Sequence, residues 1–549
     1  MDTSFSFAAR AAQLGAMADS AVDLLVIGGG VTGAGIARDA AMRGFRTALV
    51  ERGDFASGTS SRSSRLIHGG LRYLEMGDLR LVFEASRERR TLLHIAPHLV
   101  WPRSFLFPIY EGGRVPRWKL AAGLWLYDVL AAFRNVGRHR WLSKRTILRS
   151  EPGLRERGLK GGARYWDAQC DDARLTLANV RDAHRHGALA ANYAEVTQLE
   201  HADGSVRGAR VTDQVTGEPY TIRAHVVVNA TGPWSDALRD DGNTLLQPTK
   251  GVHAAVPRSR IGNVEALTLT SPIDGRVMFI LPWNDLAYIG TTDTDHAGSP
   301  SDVYATHDDV VYLLRSANAF FPDARLQPDD VVSTWAGLRP LVKPPDPTDP
   351  SAVPREHTIV EQPGMISIVG GKLTTYRAMA AEVVDRVAGV LRRLDGRKIP
   401  PRAPTASEPL PGGEVRDQDV LVSDALREGA SPEVAQHLVR AYGTEAPAVI
   451  RLAKGDRRLA EPIVPGHPAL RAELFHSIRR EMAVTLSDLL IRRTHVFYET
   501  ANHAVAQAPE LVDLVGAELR WDPARKASEL AAYLEEAAQG TRFRAEPSA

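Results

Sequence analysis

The chain has 549 residues, 44% of them hydrophobic, more than one ordinary core accommodates, so two or three domains are expected. A formal net charge of +1 gives no reason to expect nucleic acid as a partner. Cys170 is the one cysteine, which excludes an intrachain disulfide and any cysteine-based zinc or iron–sulfur site; no metal is expected and a reducing compartment fits.

The residues before Val22 lack a basic start followed by an apolar stretch of secretory length, so they read as an extension and not as a signal peptide. From Val22 the text VDLLVIGGGVTGAGIARDAAMRGFRTALVE is a short apolar strand, a glycine cluster, an alanine-rich helix and a second strand ending at Glu51. A serine-rich stretch (GDFASGTSSRSSRLIHGGLRY) follows. The spacing then predicts an amphipathic helix from about Asp78 to Ile95, with Leu79, Val82, Phe83 and Leu92 as its apolar positions and its many charges on a solvated face. The apolar run Leu120 to Phe133 is too short to span a bilayer and contains Asp128.

Between about Trp101 and Asp330, alternating stretches such as Arg276 to Leu281 and Leu286 to Gly290 predict a mixed sheet. Two later apolar strands, AHVVVNATGPW near Val226 and MISIVGGKLTTYR near Ile366, each run into small residues and then a helix, places that usually lie close to a ligand. KPPDPTDPSAVP (Lys343 to Pro354) is a loop by composition, and PPRAPTASEPLPGG (Pro400 to Gly413) reads as a linker. Beyond it, Ala, Leu, Glu and Arg at helical spacing predict a small helical C-terminal domain.

Gly28, Gly30 and Gly33 stand as G-x-G-x-x-G between strand and helix. The first permits the tight turn, the second lets the backbone approach a pyrophosphate, and the third lets the helix pack on the sheet. Free N–H groups and the positive dipole end of the helix then face the anion. Glu51, at the end of the second strand, stands where an acidic side chain accepts hydrogen bonds from the adenosine ribose. Strand, spacing, helix and acidic terminus agree on a dinucleotide, but the motif alone does not separate FAD from NAD.

Read together, GGGVTGAGIARDAAMRG, TSSRSSRLIHGGLRYLE, DDARLTLAN, VNATGPW, IGTTDTD, GLRPL and GGKLTTYR closely resemble the FAD-dependent glycerol-3-phosphate dehydrogenases. These are the respiratory, membrane-associated branch of the D-amino-acid-oxidase-like flavoproteins. The resemblance runs from about residue 23 to 380 and more loosely through the C-terminal helices, where LIRRT (Leu490 to Thr494) fits. It implies an α/β fold: a Rossmann-like FAD-binding domain, a mixed or antiparallel-sheet substrate (cap) domain, and the helical C-terminal domain. The expected boundaries are 22–400 for the oxidoreductase region, 401–413 for the linker and 414–540 for the helices. Within the first, segments of about 22–100, 160–250 and 335–400 are assigned to FAD binding and 101–159 and 251–334 to the cap.

The resemblance further implies FAD lying extended, its adenine end at Glu51 and its pyrophosphate at Gly28, Gly30 and Gly33. Thr59, Ser60, Ser61 and Ser64 are expected along the phosphate and isoalloxazine region. Ala230, Thr231 and Gly232 approach the cofactor again, and Gly370 and Gly371 meet the flavin end, followed by Lys372, Leu373 and Thr374. Small residues at these points let a flat ring touch the backbone.

Glycerol 3-phosphate needs cations for its phosphate and a group to take the C2 hydroxyl proton. Arg72, Tyr73, Arg339, Arg355 and Lys372 match positions the family uses around its substrate. A solvated or salt-bridged role is the ordinary one for most arginines in this chain, but Arg339 sits between Gly337 and Pro340 in a matching motif. His68 is the candidate proton acceptor, with a hydrogen bond to flavin or to backbone beside Gly69 as the equal alternative. The expected reaction is hydride transfer to flavin with formation of dihydroxyacetone phosphate, His68 and Arg339 being the catalytic residues.

The resemblance points to a membrane quinone as electron acceptor and to a cytoplasmic protein peripheral on the inner face of the cell membrane. Arg114 to Arg149 carries nine Arg or Lys residues against the single Asp128, interleaved with Trp and Leu, which suits an anionic membrane surface or, equally, a buried helix with basic flanks. A homodimer is compatible with the sequence and not dictated by it. The rival readings are a glycerol-phosphate oxidase that passes electrons to oxygen, an amine or amino-acid oxidase, and a non-catalytic flavin-binding sensor.

Overall fold

Val22–Ile27 is apolar at all but one position, as a strand covered on both faces must be, and it lies at the centre of the first sheet. In the computed structural model, which describes residues 4–70, 78–130, 136–239, 242, 244–343, 357–398, 400–415 and 417–545, it pairs in parallel with Thr47–Val50 on one side and Pro219–Asn229 on the other. Leu189–Ala191 continues the sheet in parallel beyond the former, and Met365–Val369 beyond the latter. Thr358–Gln362 adds an antiparallel edge. The chain winds outward one way from the middle strand, returns, and winds outward the other way. A crevice therefore opens at the C-terminal ends of Val22–Ile27 and Pro219–Asn229, where ligands bind in such sheets.

The helix Val31–Met42 packs against Asp172–Arg185 and Tyr376–Asp395. Its small residues make that close stacking feasible. A Cβ on Gly35 would lie 2.8 Å from Tyr376 Cδ2. Arg38 of the same helix is fully buried; Nε reaches Asp182 at 2.6 Å, while Nη1 and Nη2 donate to Thr405 O and Glu408 O. The Pro-rich stretch expected as a linker is thus tied to the first sheet's helices, and its own Leu410 is buried. The N-terminal extension is also part of the fold: Ser6 caps the helix Phe7–Asp19, and Arg10 pairs with buried Asp213 at 2.7 Å.

The second sheet draws its ten strands from 66–67, 100–170 and 249–339. Most pairs are antiparallel, as in the long pair Val100–Tyr110 with Leu159–Cys170; the contact of Ala266–Thr270 with Val100–Tyr110 is parallel. The predicted strands over 276–281 and 286–290 appear as Val277–Trp283 and Leu286–Gly290. These sheets and the helices from Gln418 to Thr541 give the α/β fold with a helical C-terminal part.

The amphipathic helix forms as Leu79–Ile95, capped by Asp78, but its buried face differs from the predicted one. Leu79 and Phe83 are 44% and 51% exposed, whereas Glu88 and Arg89 are buried. The two charges tolerate burial because each has a fixed partner: Glu88 takes Arg377 through Nε at 2.7 Å, and Arg89 meets Asp167 and the Tyr127 hydroxyl.

The C-terminal helices are pinned to the first sheet's loops by another buried cluster. Asp54 accepts Arg492 Nε at 2.6 Å and both Nη groups of Arg493 at 2.7 and 3.0 Å. Burial alone would raise the Asp54 carboxyl, but Arg493 and Arg492 hold it below the ordinary carboxylate range. Removing one member of such a set leaves uncompensated buried charge, which costs about 3–5 kcal/mol. Asp54→Ala is therefore expected to lower the urea midpoint of the FAD-loaded protein by that amount of stability. A midpoint unchanged from wild type would show that the cluster does not hold the C-terminal helices in place.

Candidate active site

The crevice is the mouth of a cavity of about 810 Å3 whose walls come from residues between Ile27 and Thr374. Gly28 turns the chain at φ +111°, and a Cβ there would stand 2.6 Å from Ala230 O. Only glycine accepts both demands. Gly30 caps the helix Val31–Met42, so Gly30, Val31 and Thr32 present the helix N-terminus to the cavity. Gly33 does not line it. Its added Cβ would fall 1.9 Å from Gly28 O, so its part is helix-on-strand packing.

Glu51 lines the cavity with Oε2 accepting from Gly29 N at 2.6 Å and Oε1 from Gly53 N at 2.9 Å. Burial raises its pKa, and the two backbone donors work against that rise. Each oxygen keeps a second lone pair for a further donor. Thr59 and Ser60 lie on the wall, tied to Leu338 O at 2.8 Å and to Val31 N at 2.9 Å; Ser61 between them is buried away from it. Ser64 lines the cavity and bonds His253 Nε2 at 2.8 Å.

Ala230, Thr231 and Gly232 form the opposite lip, and Thr231 Oγ1 donates to Asn229 Oδ1 at 2.7 Å. Gly370 and Gly371 both have positive φ, +78° and +86°, and a Cβ on Gly371 would strike Met379. Lys372, Leu373 and Thr374 continue the wall into the helix Tyr376–Asp395.

His68 faces the same space. Its N–H meets Thr374 Oγ1 at 3.3 Å, and next to it Gly69 N–H donates to Tyr127 Oη and Asp167 Oδ1, which fixes the loop. Burial pushes the imidazole pKa below its ordinary value; Asp167 opposes this, and Lys372 and Arg89 add to it. The ring is accordingly neutral at pH 7. Arg339 lines the cavity too, with Nη1 on Asp293 Oδ1 at 2.8 Å and Nη2 on Thr291 Oγ1 at 3.1 Å. Its guanidinium is one third exposed and held in a defined orientation. Arg72, Tyr73 and Arg355 lie outside the described residues.

Sequence reasoning missed three wall residues. His253, inside the strand Thr249–Pro257, stacks on Trp335 with ring centroids 5.1 Å apart. Burial, with Arg339 and Arg65, pushes its pKa to about 3. A histidine inside GVHAAV, otherwise apolar, was the available signal. Asp293 lies within the quoted IGTTDTD, and Arg62 sits in the serine-rich run. Beneath them the buried Arg65 guanidinium lies 4.5 Å from the Trp283 ring and 5.6 Å from Trp335 and Tyr498.

A glycine-capped helix at the switch point of a parallel sheet, an acid at the next strand end and small-residue lips on the far side suit an extended dinucleotide. The site and fold define an FAD-dependent oxidoreductase. The family model described as FAD dependent oxidoreductase matches residues 23–413, and that of the C-terminal domain of alpha-glycerophosphate oxidase matches 403–526. An aerobic glycerol-3-phosphate dehydrogenase of Staphylococcus haemolyticus is 36% identical over 94% of this chain and 95% of its own length. One from Bacillus subtilis is 36% identical over 96% of each. The crystal structure of a glycerol-3-phosphate dehydrogenase from Bacillus halodurans, complexed with FAD, superposes with a TM-score of 0.82 at 34% identity, covering 99% of this chain and all of that one. The chain belongs to the aerobic glycerol-3-phosphate dehydrogenases.

The glycine turn yields a direct test. Gly28→Val places a branched side chain against Ala230 at a φ that L-residues rarely adopt. The purified variant is expected to retain less than about a tenth of the wild-type flavin per chain. Stoichiometric flavin in a folded Gly28→Val protein would show that the turn does not hold the cofactor.

Proposed function

We propose that this protein oxidises sn-glycerol 3-phosphate to dihydroxyacetone phosphate and passes the electrons to a quinone in the membrane. The observation that carries the reading is the meeting, in one cavity, of Arg339 and Lys372 with the neutral imidazole of His68. FAD, when bound along the glycine lips, supplies the acceptor for the hydride leaving C2.

The chain's own residues bind, orient and manage the proton. Arg339 offers a planar fork suited to a phosphate dianion, and Asp293 and Thr291 fix its plane in advance. Lys372 adds a compact positive charge beside the two glycines. His68, neutral and fixed through Thr374, takes the hydroxyl proton. Arg72, Tyr73 and Arg355 complete the substrate contacts in this reading, by the resemblance of their motifs.

Membrane contact rests on the helix Arg117–Leu130. Leu120, Leu124 and Tyr127 are buried on one face, while Trp118, Trp125 and Val129 on another are 73%, 59% and 49% exposed. Exposed tryptophans flanked by Arg114, Arg117 and Lys119 suit the interface of an anionic bilayer. Among the described residues no helix is long and apolar enough to cross a membrane, so the attachment proposed is peripheral. Through Tyr127 the same helix touches the loop that carries His68.

The second reading is an oxidase, favoured by the description of the matched C-terminal domain. Peroxide released at the rate of substrate turnover would establish it in place of quinone reduction. A flavin that glycerol 3-phosphate fails to bleach under anaerobic conditions would leave only a sensor.

Three mutational outcomes are expected. Arg339→Ala is expected to lower kcat/KM for glycerol 3-phosphate by about 10- to 100-fold, and His68→Gln to lower kcat by about 100- to 10,000-fold, both with FAD retained. A His68→Gln enzyme within a few-fold of wild type would reassign the proton. Trp118→Ser/Trp125→Ser is expected to abolish co-sedimentation with anionic vesicles at low salt while leaving turnover with a soluble dye acceptor intact. Undiminished vesicle binding would remove this helix from the membrane surface.

A further inference from the structure

A second cavity, of about 650 Å3, lies between the start of the chain, the helix Asp172–Arg185 and the C-terminal helices Ala446–Gly455 and Arg471–Arg480. Its volume is within the range of small-molecule sites, roughly 300–1,000 Å3. Four guanidinium groups line it, Arg181, Arg185, Arg451 and Arg480, against one carboxylate, Glu445. Glu445 is already taken, bidentately by Arg181 at 2.8 and 2.9 Å and by Arg185 at 2.9 Å. Arg451 and Arg480 are exposed and have no ion pair or side-chain hydrogen bond among the described residues.

A basic residue in the last turn of a helix ordinarily complements the helix dipole. That accounts for Arg185 and Arg480 one at a time, but not for Arg451 or for the hollow between them. His476 lines the same cavity, is 3% exposed, and its Nε2 is buried without a hydrogen-bond partner. Buried polar atoms of native proteins are nearly always satisfied, so this orphaned ring nitrogen is a second departure from the ordinary beside the unpaired Arg451 and Arg480.

We propose that this cavity is a second ligand site, taking a small soluble molecule that carries a phosphate or pyrophosphate group, bound by Arg451 and Arg480. Guanidinium forks match the oxygens of phosphate in pairs. The volume leaves space for an organic portion beside the anion. Nothing in the site depends on the substrate assignment above, because none of its residues lines the flavin cavity.

The test is isothermal titration of sodium pyrophosphate into the FAD-loaded full chain in phosphate-free buffer. The expected result is a binding event that Arg451→Ser/Arg480→Ser weakens at least about tenfold, with FAD content and KM for glycerol 3-phosphate unchanged. The same event is expected to persist in Arg339→Ala, which separates it from phosphate binding in the flavin cavity. No binding, equal binding in the double variant, or binding that disappears with Arg339 would each overturn the proposal. Capture of phosphatidic-acid vesicles through these arginines without affinity for pyrophosphate would overturn it too, in favour of a lipid headgroup.

Discussion

The architecture hangs on one close approach, that of the backbone at Gly28 to the carbonyl of Ala230. Two parallel strands end side by side there, and a helix N-terminus must enter the same space. Any Cβ at Gly28 would collide with Ala230, and any at Gly33 with Gly28. Both glycines therefore serve as absences, and the apolar strands and alanine-rich helix around them supply the pressure that keeps the approach tight. Loosening it would move the N–H groups of the first helical turn, and with them the anion end of the site.

The other end of the cavity is governed by electrostatics. Charge sits beside aromatic surface and beside small residues, and each buried group has its state set by neighbours. Arg65 is enclosed by Trp283, Tyr288, Trp335 and Tyr498, so its charge lies against ring faces where water would otherwise stand. Burial, reinforced by Arg339 and that cation, keeps His253 neutral. Lys372 and Arg89 act in the same direction on His68. Burial sets both imidazoles uncharged, and the cations placed around them act in the same direction before any ligand arrives.

Local features were legible in the chain and long-range ones were not. The strand, glycine turn, helix and Glu51 occupy one continuous stretch, so their spacing predicts their geometry. Gly370 to Thr374 was readable because a strand running into glycines has few other uses. His253 was not, since its role arises from antiparallel register, which sets it between Gly290 and Trp335 on neighbouring strands. The stripe of Leu79–Ile95 was misjudged because periodicity assigns charges outward, and only the positions of Arg377 and Asp167 make Glu88 and Arg89 inward. Part of Arg339 was likewise hidden: its motif marked a cation, but Asp293 as its anchor comes from a separate strand connection.

The cluster at Asp54 joins residues 438 and 439 positions apart, and the cavity wall itself closes only when Lys372 is present. At roughly 5–20 residues per second, the ribosome delivers Lys372 on the order of tens of seconds after Gly28. During that interval the nascent glycine turn has no far wall, and the apolar strands destined to be central in the sheet lack their neighbours. Loop-closure entropy rises slowly with length and does not forbid such a design, but long-range pairing delays it. Flavin capture therefore waits until the chain has been made at least through Thr374, the last residue of the cavity wall.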